Sequence, residues 1–212
     1  LKNRLRKLII FDLDGTLYSN NSILFSNIDK YTEKFLKDYF YGDIVELEKN
    51  NPNILSVIKK LGISRERYGK KVFTKLDYQM LIADKKLSNL LDNIDSYKCI
   101  VSLAPISHIE EVLDKLGISN SFDLNLSIYD LGIENKKDAY LFLLDMFSVV
   151  PNRAVCVGDS FSNDLIPAKE LKIKNIYLIT NKKEIKDKSV KNFLNIYRCL
   201  EYILENEDII WR

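Results

Sequence analysis

The sequence carries a single histidine, His108, and three cysteines, Cys99, Cys156 and Cys199. That scarcity removes whole catalytic classes. A serine triad needs a histidine, commonly three residues after an aspartate near the C-terminus; His108 has Pro105 three residues before it. A cysteine phosphatase needs an arginine in the sixth place after its cysteine, but Pro105 follows Cys99 there and Ser162 follows Cys156. Odd in number and without a Cys-x-x-Cys pair, with Cys99 and Cys156 inside apolar runs, the cysteines are expected to be buried free thiols in a reducing cytosol. Charge of one sign is lacking too: 32 Lys and Arg oppose 30 Asp and Glu, a net +2, which gives no case for nucleic acid or an acidic membrane as partner. No run of about 18 apolar residues is present to span a bilayer. The basic opening Leu1–Lys7 leads straight into a β-like run, without the apolar stretch of a signal peptide. A cytoplasmic location is expected. Gly69-Lys70-Lys71 is no P-loop, because Ser64 stands where the first glycine belongs and no hydroxyl follows the lysine.

What is present is alternation. Five short, continuous apolar runs read as buried parallel strands: Lys7–Asp12, Lys98–Leu103, Asp123–Ser127, Ala154–Gly158 and Asn175–Thr180. Helical patterns over Ser107–Leu116, Lys136–Phe147, Asp164–Leu171 and Phe193–Leu204 follow them. Strand–helix alternation predicts an α/β, doubly wound parallel sheet. Segment 17–96 breaks the pattern. It reads as helices over Ser22–Tyr39, Asn53–Leu61, Arg65–Ile82 and Lys85–Leu91 with no convincing strand. The predicted organisation is therefore a core of residues 1–16 and 97–212, interrupted by an all-helical insertion at 17–96.

Acids gather where strands end. The first strand runs into Asp12-Leu13-Asp14-Gly15-Thr16-Leu17, and ligands in open α/β sheets bind beyond the carboxyl ends of strands. Of two such carboxylates, one can attack phosphorus and the other can move a proton. The fourth strand ends in Gly158-Asp159-Ser160-Phe161-Ser162-Asn163-Asp164. If it lies beside the first, Asp12 and Asp159 converge on a site suited to Mg²⁺, which prefers hard oxygen ligands. Its plainer reading is a turn and helix N-cap made by Ser162 or Asn163. Ser102 ends the second strand just before a helix, where a hydroxyl and backbone N–H groups can hold phosphate oxygens or simply cap the helix. Lys136 opens a helix, a locally unfavourable place for a cation. His108 reads as an ordinary residue in the first turn of a helix.

Together these pieces resemble the haloacid dehalogenase-like superfamily. Its pattern is Asp-x-Asp-Gly-Thr after the first strand, Ser or Thr after the second, a lysine, then Gly-Asp with further acid or amide residues after the fourth. Here the counterparts are Asp12 to Thr16, Ser102, Lys136, and Gly158-Asp159 through Asn163-Asp164. The resemblance implies a Rossmann-like core and a mobile helical cap at 17–96. It also implies a Mg²⁺-dependent phosphatase acting on a small-molecule phosphate ester. Asp12 would be the nucleophile, phosphorylated in transit, and Asp14 the acid–base. Lys136, Ser102, Thr16 and the Leu103 N–H would bind phosphate. The metal would be held by Asp12, the Asp14 carbonyl and Asp159, with Asp164 or Asn163 as a ligand or behind the ligands. Two departures stand out. Leu103 follows Ser102 where Asn or Gly is common, and Lys137 follows Lys136 where many relatives have Pro, so either lysine could reach the site, with the spacing to Pro151 and Asp159 favouring Lys136.

Other readings compete. A phosphomutase shares every core motif. Gly158-Asp159-Ser160-Phe161-Ser162 also resembles the nucleophile block of GDSL esterases, which the placement of His108 opposes. A non-catalytic phospho-acceptor domain carries a phosphorylatable aspartate on a similar sheet but lacks an insertion of this size. Asp14 argues against carbon–halogen chemistry, because dehalogenase relatives lack that second aspartate. A monomer or weak dimer is expected.

Overall fold

A computed structural model describes residues 6–180 and 187–211. Most of the basic opening segment, residues 1–5, and the last residue of the tail lie outside the described residues. Strand β1 (Leu8–Phe11) consists of four apolar residues with no exposure, as expected of a strand in the middle of a covered sheet. The chain then turns tightly. The Leu13 carbonyl accepts the N–H groups of Thr16 and Leu17 at 3.2 and 3.0 Å, and Gly15 takes φ +84°, a value that favours glycine. Two two-residue strands, β2 (Asp14–Gly15) and β3 (Tyr18–Ser19), pair across this turn.

Helices follow: α1 (Ile23–Lys37), α2 (Ile44–Lys49), α3 (Ile54–Lys60), α4 (Arg65–Val72) and α5 (Lys85–Asp92). Ser22, Asn53, Ser64 and Asp84 cap α1, α3, α4 and α5, each accepting the N–H three residues on and so satisfying a donor the helix cannot. Helix α1 meets α4 through the Phe35–Tyr68 ring contact and a buried Thr32–Tyr68 hydrogen bond of 3.0 Å. Strand β3 lies in a segment expected to hold no strand, and two further differences from the sequence reading arise here. Helix α2 has no counterpart in it. The expected helix 65–82 ends at Val72 and gives way to 3-10 turns at Phe73–Lys75 and Tyr78–Met80. Asp77 accepts the Gln79 N–H at 3.0 Å, the local side-chain bond by which short polar residues compete with helical backbone.

Beyond α5 the alternation resumes. The elements are β4 (Tyr97–Ser102), α6 (Ile106–Leu116), β5 (Leu124–Ser127), α7 (Ile128–Leu131), α8 (Lys136–Phe147), β6 (Ala154–Gly158), α9 (Ile166–Glu170), β7 (Asn175–Ile179), β8 (Val190–Phe193), α10 (Ile196–Glu205) and α11 (Glu207–Ile210). Six strands form one parallel sheet in the order β5-β4-β1-β6-β7-β8. The expected doubly wound class holds. The sixth strand is a correction. Sequence reading starts a helix at Phe193, but Phe193 ends β8, and α10 begins at Ile196 behind the Asn195 cap. Four residues with Lys191 and Asn192 inside give an edge strand too short and too polar for a periodic signal.

Helix α5 packs on α10, with a 2.8 Å Lys86–Glu201 ion pair and a hydrogen bond from the Tyr197 hydroxyl to Asp84. Arg65 of α4 instead reaches the loop around α7, donating to the carbonyls of Ile128, Tyr129 and Ile133 at 2.7, 2.9 and 2.6 Å. The tail, whose role the sequence leaves unread, folds back under the sheet. Glu207 pairs with Lys7 at 2.8 Å, and Arg153 donates to the carbonyl of buried Trp211. All three cysteines are buried and free.

Candidate active site

Strand order reverses at β1, whose two neighbours are β4 and β6, and the crevice at such a switch point is where open α/β sheets bind ligands. Asp12 is the first residue beyond β1. Its N–H donates to the Val157 carbonyl at 2.9 Å, which continues the sheet for one more residue and sets Asp12 beside the end of β6. Its carboxylate is nearly buried and doubly held. Oδ1 accepts from Lys136 Nζ at 2.6 Å, and Oδ2 accepts from Thr16 Oγ1 at 3.0 Å.

Lys136 is the first residue of α8, behind the Asn135 cap. The unfavourable helix-start position is offset by two carboxylates, because its Nζ also lies 2.7 Å from Asp164 Oδ1. Only 2% of the side chain is exposed. Lys137 turns outward, pairs with Glu170 at 2.8 Å and is 44% exposed. Of the two lysines, Lys136 is the one in the acidic cluster.

Strand β6 ends at Gly158, and the chain passes through Asp159 into a π-helical turn, Phe161–Leu165. Such turns are rare and often sit at functional sites. The Ser160 carbonyl receives N–H groups from both Asp164 and Leu165. The capping side chain is Ser160, which accepts the Asn163 N–H at 3.2 Å, rather than Ser162 or Asn163. This extra residue in the turn swings Asp164 back into the protein, where its Oδ2 accepts the Ser160 N–H at 2.9 Å. Gly158 is obligatory here, since a Cβ would collide with the Asp164 side chain. A Cβ at Gly15 would likewise strike the Asp159 carboxylate. Asp12, Asp159 and Asp164 thereby bring one carboxylate oxygen each to within 4.8 Å of one another.

The Asp14 carboxylate is held apart from that trio. Its Oδ1 receives the Tyr18 hydroxyl and lies 2.7 Å from His108 Nε2. His108 does occupy the first turn of α6, but it is a site residue that the sequence reading set aside. The only signal was its rarity, because nothing in a linear sequence pairs residue 108 with residue 14. Ser102 ends β4 on the same sheet edge, buried, its Oγ accepting the Ala104 N–H at 3.1 Å. Half-buried Leu103 follows it. Among the described residues Ser102 makes no hydrogen bond to Asp12.

Four carboxylates thus face one ammonium. Burial pushes Asp12 up to about 7, with Asp164 and Asp14 adding to the rise and Lys136 opposing it. Burial and the charges of Asp12 and Asp164 push Asp159 up to about 8. Burial would also raise Asp14, but His108 and Tyr18 outweigh it and hold that carboxyl below its ordinary range. Burial alone would lower Lys136, but Asp12 and Asp164 raise it. Asp159 has no side-chain donor among the described residues, so the single ammonium of Lys136 leaves a crowded, hard-oxygen pocket with an excess of negative charge. That donor set fits a divalent metal ion.

A pH-dependent stability follows. Asp12 and Asp159 bind their protons more tightly in the folded chain than an unperturbed aspartate does. Their destabilising effect therefore grows as pH rises from about 4 and levels off near 8, where the folded carboxyls are ionised. A divalent cation competes with those protons, so millimolar Mg²⁺ should raise Tm more at pH 8 than at pH 5. Equal shifts at both pH values in a thermal melt would remove the metal from this cluster.

Known proteins resemble the chain in sequence and in fold. The family model described as haloacid dehalogenase-like hydrolase matches residues 6–172. No curated protein matches the chain. Solved structures do. A predicted phosphatase from Clostridium acetobutylicum superposes with a TM-score of 0.65 at 18% identity, covering 95% of this chain and 99% of that one. A Thermotoga maritima protein assigned as a beta-phosphoglucomutase gives a TM-score of 0.63 at 20% identity, covering 94% and 99%. L-2-haloacid dehalogenase from Xanthobacter autotrophicus gives 0.55 at 16% identity, covering 85% and 80%. At these identities the structures share the fold; the family match rests on the sequence itself, over most of its length. The chain belongs to the haloacid dehalogenase-like hydrolase family.

Proposed function

We propose that the chain hydrolyses a small-molecule phosphate monoester, with Asp12 as nucleophile, Asp14 as acid–base and Mg²⁺ as the metal. The observation that carries this reading is the second carboxylate. Asp14 stands two residues from the lysine-paired Asp12, with its own donors, Tyr18 and His108. Displacing a halide requires no proton on the leaving group; displacing an alkoxide from phosphorus does.

The negative charge of a bound phosphate would raise the proton affinity of Asp14 against the pull of His108 and Tyr18, so that as Asp12 attacks phosphorus and the bond to the ester oxygen breaks, protonated Asp14 gives that oxygen its proton. Asp14, now a carboxylate, takes a proton from water, which attacks phosphorus of the aspartyl-phosphate and restores the Asp12 carboxylate. Lys136 orients Asp12 and, with Ser102, Thr16 and the Leu103 N–H, neutralises the equatorial oxygens. Mg²⁺ held by Asp12, Asp159 and the Asp14 carbonyl, with Asp164 in support through Lys136 and Ser160, would supply the positive charge that a phosphate dianion needs to approach. The helical segment 17–96 serves as a cap that excludes bulk water, with Arg65 as one of its holds on the core. Among the described residues no helix is long and apolar enough to cross a membrane.

A phosphate-release screen over metabolite monoesters tests the reading. Turnover should require Mg²⁺ and stop with EDTA. No release from any ester, or full activity in chelator, would refute it. The likeness to the Thermotoga maritima protein favours a phosphomutase as the second reading. Its mark would be dependence on a bisphosphate activator.

A further inference from the structure

The one histidine of the chain lies beside Asp14, and no step above uses it. Its side chain is completely buried. Nε2 is 2.7 Å from Asp14 Oδ1, and Nδ1 is 2.9 Å from the Tyr78 hydroxyl. The imidazole packs edge-on against Phe73, at 5.1 Å between ring centroids, and against Tyr78 at 5.5 Å. Oδ1 of Asp14 remains an acceptor whether or not Oδ2 carries a proton, so Nε2 carries the hydrogen, and Nδ1 is left to accept from Tyr78. The result is one directed chain, Tyr78 to His108 to Asp14.

A buried histidine satisfied at both nitrogens would be unremarkable by itself. Two features give this one a task. His108 and Tyr18 both aim at Oδ1 of Asp14, and among the described residues Oδ2 has no donor. The carboxylate torsion is otherwise broad and roughly two-fold, whereas proton transfer needs one oxygen held in place. The second feature is origin. His108 belongs to α6, but Tyr78 and Phe73, which fix its ring, come from the short turns that follow α4 in the 17–96 segment.

We propose that His108 is a positioning residue: it pins Asp14 Oδ1 so that Oδ2 is the oxygen that exchanges a proton with the leaving group and with water, and Tyr78 makes that pinning depend on the helical segment. The proposal rests on the phosphomonoesterase reading above.

Its test uses the full chain and three variants. His108→Phe keeps the ring packing and removes both nitrogens. His108→Gln can place an amide N–H near where Nε2 stands. Tyr78→Phe removes only the outer link. General acid catalysis is worth about 10²–10⁴-fold, so His108→Phe should lower kcat on an alkyl phosphate by roughly a hundredfold, with KM within about twofold. On p-nitrophenyl phosphate, whose leaving group needs little proton, the first-turnover burst should survive. His108→Gln should return kcat to within about tenfold of wild type, and Tyr78→Phe should fall between them. A second readout needs no turnover. With a single histidine, the ¹⁵N imidazole signals are unambiguous: they should report a hydrogen on Nε2 and should move in Asp14→Asn but not in Lys137→Ala.

Full alkyl-phosphate kcat in His108→Phe would overturn the proposal. So would equal losses in the Phe and Gln variants, which would mark a packing role, or imidazole signals indifferent to Asp14→Asn. Wild-type protein that releases no phosphate from any monoester would instead overturn the phosphatase reading, and the ¹⁵N signals would still decide whether His108 holds Asp14.

Discussion

Asp12→Asn should lower kcat for phosphate release by roughly a thousandfold or more, the scale seen when a nucleophile is removed, while leaving the fold intact. The two halves of that expectation have separate causes. Asn cannot form the acyl phosphate, so no labelled phosphoenzyme should be trapped by acid quench. Stability should be unharmed because Asp12 is a carboxylate the fold tolerates poorly when ionised: burial, Asp164 and Asp14 push it up to about 7 against the opposing pull of Lys136. The amide removes one negative charge from a crowded group and can still accept from Thr16. Lys136 keeps Asp164. Tm at pH 8 in the absence of metal should therefore equal or exceed that of wild type. Residual activity above a few per cent of wild type would point to a different nucleophile.

Lys136→Ala and Lys137→Ala should differ sharply, although they are neighbours in sequence. Removing Lys136 leaves Asp12 and Asp164 buried with no cation, and breaking a buried pair from one side costs about 3–5 kcal/mol. For a chain of this size that is a Tm loss of roughly 10 °C. The kcat/KM of the folded fraction should also fall by about a hundredfold or more, since the ammonium is lost from where phosphate charge develops. Lys137 is 44% exposed and pairs with Glu170, itself 49% exposed. Such a pair contributes about 0–1 kcal/mol, and Tm and kcat/KM should change little. Adding Mg²⁺ should recover part of the lost Tm in Lys136→Ala, because a divalent ion near Asp12 replaces some of the missing charge. Small, equal losses in the two variants would show that neither lysine serves the site.

The pairing of these two lysines shows what the sequence can and cannot tell. Both stand at the start of α8, and spacing to Pro151 and Asp159 favours Lys136 without showing what its side chain meets. Burial of Lys136 between Asp12 and Asp164 depends on α8 packing beside β1 and on the π-helical turn that folds Asp164 back. The two glycines that admit this arrangement, Gly15 and Gly158, are legible as residues but not as clearances. Asp14 and His108 are 94 positions apart, and no local periodicity joins them.

By itself the sequence determined the parallel sheet, its strand ends and the acids placed there. Continuous apolar runs can be satisfied only in a sheet covered on both faces, and aspartate and glycine have no reason to recur at strand ends except for turns or ligands. Weak or interrupted periodicity misled it at β8, an unread polar edge strand whose last residue it gave to a helix, and beyond Val72, where an Asp77 side-chain bond replaced helix. Only the tertiary structure decided that Lys136 lies buried between Asp12 and Asp164, that Asp164 turns inward, and that the single histidine touches Asp14. Those outcomes come from elements far apart in the chain meeting at β1, where burial and short-range charge set each group's state and no neighbour in sequence carries the information.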